Sequence, residues 1–298
     1  MNLLLKSLKQ GDTIGIIAPA SPVTIDELQP AINIIKQEGY RVIEGDHIYD
    51  TQGYLAGRDE DRLYDLHEMF LNSDVKAVIC ARGGYGTPRL LDKIDYNIIR
   101  DNPKLFIGYS DITALLLAIH NNTDLVVWHG PMLRTLKGRE DNLRNLLRHL
   151  SSEGIINLKL TENTVLKKGK ARGRLLGGNL SLISSILGTP FLPSLKGTIL
   201  FLEDRGEPLY RIDRMLTQLK LSGALSGIRG LIAGDFEECG DTDEINRLLL
   251  EIFSGDYPVY TGFPSGHGRH NLALPFGVKA ELDTGSLSFT VGAFIDKG

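Results

Sequence analysis

The stretch Lys104-Leu105-Phe106-Ile107-Gly108-Tyr109-Ser110-Asp111, followed at once by Ile112-Thr113-Ala114-Leu115-Leu116-Leu117-Ala118-Ile119, decides how this chain is read. The first apolar run has the length of a buried strand, the second that of a helix. Between them a serine sits at a strand-to-helix corner, which pushes its hydroxyl out at the carboxyl edge of a sheet. The first free N–H groups of the helix lie beside it. Two readings fit. One is a nucleophile elbow, whose turn exposes the oxygen and supplies an oxyanion donor. The other is a helix cap made by Ser110 or Asp111. Ile112 stands where G-x-S-x-G has its second glycine, so an elbow here is irregular.

Outward from that corner the first half alternates strand and helix. Ile14 to Ala18 reads as a strand ending in Pro19-Ala20-Ser21-Pro22, and Leu28, Ala31, Ile32 and Ile35 mark a helix closed by Gly39. Arg41-Val42-Ile43 is a short strand, Asp59 to Leu71 a helix, Val75 to Ala81 a strand, Leu125 to Trp128 another, and Asp141 to Leu150 a helix. Repeated strand–helix units imply a parallel sheet with helices on both faces. The polar stretch Ser151 to Gly173, with Lys167-Lys168-Gly169-Lys170, reads as a boundary. It separates an amino-terminal α/β domain (1–152) from a smaller carboxyl-terminal mixed α/β domain (174–298), with 153–173 as a solvated linker or hairpin. In that second domain Asn179 to Leu187 and Leu209 to Leu221 read as helices, Thr198 to Leu202 and Gly230 to Gly234 as strands, and Gly277 to Val291 as a hairpin.

Bulk properties narrow the function. The chain has 298 residues, a formal charge of −4 and no basic tract, which argues against nucleic acid as a partner. Two cysteines, Cys80 and Cys239, are too few for a disulfide framework, and a reducing compartment fits. Leu3-Leu4-Leu5 is too short for a signal-peptide core, and no stretch approaches the ~20 apolar residues of a membrane span. The expectation is a cytoplasmic protein with no membrane partner.

Three further segments place polar residues where an apolar run stops. Ala81-Arg82-Gly83-Gly84-Tyr85-Gly86-Thr87 reads as an oxyanion nest or a tight turn. Arg89 occupies the last position of a would-be G-x-G-x-x-G, so a dinucleotide site does not fit. Phe201-Leu202-Glu203-Asp204-Arg205-Gly206-Glu207 sets carboxylates at a strand end, as a site or as a surface turn. Phe263-Pro264-Ser265-Gly266-His267-Gly268-Arg269-His270-Asn271 offers an imidazole between glycines. Metal ligation by His267 and His270 lacks a helical spacing and a third ligand, so no metal is expected. The remaining histidines, His129 among them, read as structural or solvent-facing. The order Ser…Glu…His is the one α/β-hydrolases use. A serine hydroxyl needs a base, neutral imidazole suits, and a carboxylate must orient it.

These segments closely resemble the LD-carboxypeptidases, serine peptidases that include muropeptide-recycling enzymes and microcin C immunity peptidases. The resemblance rests on Gly11-Asp12, Ala18-Pro19-Ala20-Ser21-Pro22, Ala81-Arg82-Gly83-Gly84-Tyr85-Gly86 and Gly108-Tyr109-Ser110-Asp111. It continues through His129-Gly130-Pro131-Met132, Gly177-Gly178-Asn179, Phe201-Leu202-Glu203-Asp204 and Gly266-His267-Gly268. It implies Ser110 as nucleophile, His267 as base and Glu203 as its orienter, preferred over Glu207 and, for the base, over His270. It implies backbone N–H groups of Gly84 and Asp111 as the oxyanion hole. It further implies two domains with the site between them, no metal or organic cofactor, and a homodimer. The implied substrate is a muropeptide whose terminal D-alanine follows the L-centre of lysine or diaminopimelate; the alternative is a microcin-like aminoacyl nucleotide. Arg82 is a candidate for the terminal carboxylate, and Trp128 and Asn179 for the pocket wall. A penicillin-recognising peptidase fits less well: Ser73-Asp74-Val75-Lys76 matches S-x-x-K, but no Lys-Thr-Gly occurs. A non-catalytic two-lobed binding protein is the remaining rival.

Overall fold

A computed structural model describes residues 5–134, 136, 138–152 and 155–292. The chain begins with β1 (Thr13–Ile17), α1 (Ile25–Gln37), β2 (Arg41–Glu44), α2 (Asp59–Leu71) and β3 (Val75–Cys80). It continues with α3 (Tyr96–Asp101), β4 (Leu105–Gly108), α4 (Thr113–Thr123), β5 (Val127–His129) and α5 (Glu140–Ser151). β1, β4 and β5 are buried along their whole length and β3 everywhere but at Lys76, as strands covered by helices on both faces must be. They run parallel in the order β5-β4-β3-β1-β2. The order reverses around β1, so a crevice opens past the carboxyl ends of β1 and β3, where open α/β sheets bind ligands. α1 starts on a capping box between Thr24 and Glu27.

Then follow β6 (Ile156–Lys159), β7 (Val165–Lys167), β8 (Lys170–Asn179), α6 (Leu180–Ser185), β9 (Thr198–Arg205) and α7 (Leu209–Leu221). The chain closes with β10 (Gly230–Glu237), α8 (Thr242–Ile252), β11 (Val259–Tyr260), β12 (Leu274–Phe276), β13 (Lys279–Asp283) and β14 (Ser288–Val291). A second sheet has the order β6-β14-β13-β8-β9-β10-β11-β7. Its centre, β8 to β11, is parallel, and its flanks are antiparallel. The molecule is thus a two-domain α/β protein, with a first sheet parallel from β1 to β5 and a mixed second one.

Two expectations change. Residues 153–173, read as a linker or hairpin, supply β6, β7 and the start of β8 to the second sheet. β7 pairs with β11 and not with β8, so the lysine cluster is a turn between strands of different partners. And β12, within the stretch assigned to the second domain, adds antiparallel to β5 of the first sheet, with Leu274 opposite His129.

α4 is buried on nearly all sides because it lies between the halves. The end of β8 meets its first turn: Asn179 N–H donates to Thr113 Oγ1 at 3.1 Å. A side chain at Gly178, where φ is +135°, would fall 2.5 Å from the Thr113 methyl, so only glycine permits this approach. Asn179 in turn lies beside Glu203 in the β8–β9 ladder. The serine corner and the β9 carboxylate are thereby brought to one seam.

Candidate active site

Ser110 opens a short 3₁₀ turn, Ser110–Ile112, and has φ +60°. A residue with a side chain holds that conformation only where its surroundings enforce it. Here Asp111 does so: its buried Oδ2 accepts the Thr87 N–H at 2.9 Å, and Thr87 Oγ1 donates to its carbonyl at 2.6 Å. Burial pushes the Asp111 carboxyl above its usual range, and the Thr87 bonds draw it back only in part. Neither Ser110 nor Asp111 caps α4, whose capping position is Ile112, without a side-chain bond. The corner is therefore not a cap, and Ser110 is only half-buried.

The glycine turn after β3 folds against it. A methyl on Gly83 would lie 3.1 Å from Ser110 Oγ and 3.2 Å from the Asp111 nitrogen, so glycine leaves the ground between hydroxyl and amide uncrowded. Ser21, from the β1 end, donates its N–H to the Gly83 carbonyl and accepts the Tyr85 N–H at 3.1 Å. Three loops thus converge at the crevice. Arg82 donates to the Pro22 carbonyl at 2.9 Å and is half-buried. Burial, then the like charge of Arg134, hold its pKa below the usual arginine value. Arg134 pairs with Glu27 at 2.7 Å.

On β9, Glu203 is wholly buried, and its Oε2 lies 2.6 Å from His267 Nδ1. Burial opposes charge on His267, but the Glu203 charge and hydrogen bond outweigh it, and the pKa sits above the ordinary histidine value. The Tyr109 ring, next to the elbow serine, packs 4.9 Å from the His267 ring. Among the described residues no hydrogen bond joins Ser110 Oγ to His267, and such bonds tighten when substrate binds. Glu207 pairs instead with Arg211 at 2.9 Å, and His270 is exposed.

Against this geometry, residues 14–130 match the model of the LD-carboxypeptidase N-terminal domain and residues 172–282 that of the C-terminal domain. The chain belongs to the LD-carboxypeptidase family. It is 43% identical to the probable murein peptide carboxypeptidase of Bacillus subtilis, over 100% of this chain and 97% of that one. It is similar to the microcin C7 self-immunity protein MccF of Escherichia coli, 30% identical over 94% and 93%. A solved structure of MccF in complex with glutamyl sulfamoyl guanosine superposes with a TM-score of 0.91, at 27% identity, over 99% of this chain and 100% of that one. The muramoyltetrapeptide carboxypeptidase of Oxalobacter formigenes superposes with a TM-score of 0.83, at 33% identity, over 95% and 100%. Like its family, the chain is a hydrolase of the carboxypeptidase type.

Two pocket candidates in this LD-carboxypeptidase are corrected. Trp128 is 0% exposed, in mid-strand between Ile107 and Pro275, and belongs to the core. Asn179 caps α6 through Oδ1 and donates to Asp204, so its side chain is structural. Sequence reading missed the supports of the His267 loop. Arg139 donates to the carbonyls of His267 (3.2 Å) and Gly268 (2.8 Å). Asn142 donates to the Arg269 carbonyl and accepts the Asn271 N–H. Asp235 on β10 accepts the Gly268 N–H, and burial pushes its carboxyl up to about 6. These residues sit in no motif, and only the loop's need for donors could have suggested them. Among the described residues, the one trio with metal-ligand spacing is His47, Asp50 and Asp61, away from this site, and Asp61 is already held by Arg58. A groove of about 1120 Å³ between Arg174, Lys196 and Lys279 is lined by neither Ser110, Glu203 nor His267. No helix among the described residues is long and apolar enough to cross a membrane.

Proposed function

We propose that this chain is a serine LD-carboxypeptidase that releases terminal D-alanine from the L-centre of lysine or diaminopimelate in tetrapeptide muropeptides, a step of peptidoglycan recycling in the cytoplasm. The observation that carries the reading is the 2.6 Å pair of Glu203 and His267 beside a serine held at positive φ. In this reading His267 Nε2 takes the Ser110 proton as the oxygen attacks the scissile carbonyl. The N–H groups of Asp111 and Gly84 receive the oxyanion. His267 then protonates the leaving D-alanine nitrogen, and the C–N bond breaks. Water, deprotonated by the same imidazole, attacks the acyl-enzyme and returns Ser110 its proton. Glu203 stabilises the imidazolium in both stages.

Arg82 is our candidate for the free carboxylate of the substrate. Arg82 and Arg134 face a single carboxylate, Glu27, which leaves one positive charge over at the crevice. The names of the Bacillus and Oxalobacter relatives support the muropeptide substrate. The likeness to MccF supports a second reading, hydrolysis of an aminoacyl nucleotide.

The test is direct. Incubation with a muropeptide tetrapeptide should release D-alanine, followed by mass spectrometry. Ser110→Ala should lose activity by ~10⁴ or more. Cleavage of glutamyl sulfamoyl guanosine with the muropeptide left intact would favour the second reading. Full activity of Ser110→Ala on either compound would overturn the triad.

A further inference from the structure

The buried face behind the Glu203–His267 pair contains polar atoms that the reaction, as proposed, leaves unused. Glu203 Oε1 is buried and has no hydrogen-bond partner among the described residues. A wholly buried carboxylate satisfied at one oxygen only is costly and free to rotate. His129, the last residue of β5, lies close enough to feel the Glu203 charge; it is 0% exposed, with neither ring nitrogen partnered among the described residues. Its ring is fixed in an aromatic box: Phe201 at 5.0 Å, Phe276 at 5.7 Å and Tyr109 at 5.8 Å. Phe201 is two residues before Glu203, so both project from the same face of β9. Tyr109 touches His129 and His267 alike.

We propose that His129 is a positioning residue of this site: its neutral imidazole donates, through one bridging water, to Oε1 of Glu203 and so fixes that carboxylate on His267. This rests on the triad reading above. Other charged groups near the pair are committed elsewhere. Asp204 accepts from Asn179, Ser181 and the Arg205 N–H; Asp235 holds Gly268; Arg205 pairs with Glu238. Asn271 Nδ2 is also unpartnered, but its Oδ1 is turned to Ser265 and Gly266. Burial holds the His129 pKa down to about 4, against the pull of Glu203, so the ring stays neutral at working pH, with one nitrogen to donate and one to accept. A buried water with such polar partners is an ordinary part of a protein interior.

The experiment uses the full chain and two readouts. NMR follows the pKa of His267 and its Nδ1 proton in the Ser110→Ala background, and steady-state kinetics follow D-alanine release. His129→Phe fits the aromatic box, removes the donor, and should leave Tm unchanged or raised. A carboxylate stripped of a donor pulls harder on a proton shared with the imidazole. The His267 pKa and the acid limb of kcat/KM should therefore move to higher pH. kcat should fall about tenfold or more, the size of one hydrogen bond to a charged group, with KM little changed. His129→Gln, which keeps a donor, should recover part of the loss. An unmoved His267 pKa in folded His129→Phe would sink the proposal whatever the substrate. A moved pKa in a protein that cleaves no peptide would sink the carboxypeptidase substrate and leave the role of His129 standing.

Discussion

At the scale of single residues, chemistry and burial separate Glu203, near the end of β9, from Glu207, just after it. Glu203 is enclosed and bonded to His267, while Glu207 is spent on Arg211 at the start of α7. Glu203→Ala should therefore cost several orders of magnitude in kcat, and Glu207→Ala no more than about threefold, measured as D-alanine release. In the proposed mechanism His267 must be neutral to accept the serine proton. Because its pKa is raised, kcat/KM should already be falling as pH drops through a value above the ordinary ~6.5 of histidine. A pH profile with its acid limb at or below that value would contradict the Glu203 contact. Ser110 and Glu203 stand out in the sequence because each interrupts an apolar run, and His267 because it lies between two glycines. Trp128 and Asn179 do not, since a lone aromatic or amide at a strand end reads equally as lining or as structure. Only burial and hydrogen bonding separate those meanings.

Secondary elements were legible where the apolar period is long. α7, the β13–β14 hairpin and the strands around Ser110 follow the sequence pattern closely. β6 and β7 were not, for a physical reason. Each is a short edge strand of the second sheet, half-exposed and ended by lysine, the residue that protects sheet edges from further pairing. β12 is three residues long and includes Pro275, which a lone-strand reading rejects. The His267 loop is an element without regular structure, and its shape comes from the donors around it. Arg139→Ala removes two of its bonds and should lower kcat about tenfold with KM nearly unchanged, checked by steady-state kinetics beside a melting curve.

Across the whole molecule, the groups that shape the site also set its stability. Asp235 has its folded pKa raised to about 6 by burial, above the unfolded carboxylate value. Its contribution is fully favourable only below ~4 and is lost as pH rises through about 6, so above that it opposes folding. Asp235→Asn keeps an acceptor for Gly268 and should raise Tm at pH 8, with the gain gone by pH 4; an equal gain at both pH values would refute this account. The seam between the sheets has a temporal side as well. A nascent chain delivers the Ser110 corner together with the first sheet, yet His267 and the strand that pairs with β5 emerge only after most of the second sheet has been made. Domains fold as they are made. A copy made only as far as the first sheet therefore presents Ser110 without the Glu203–His267 pair, and in the proposed mechanism hydrolytic power waits for the second sheet to be made.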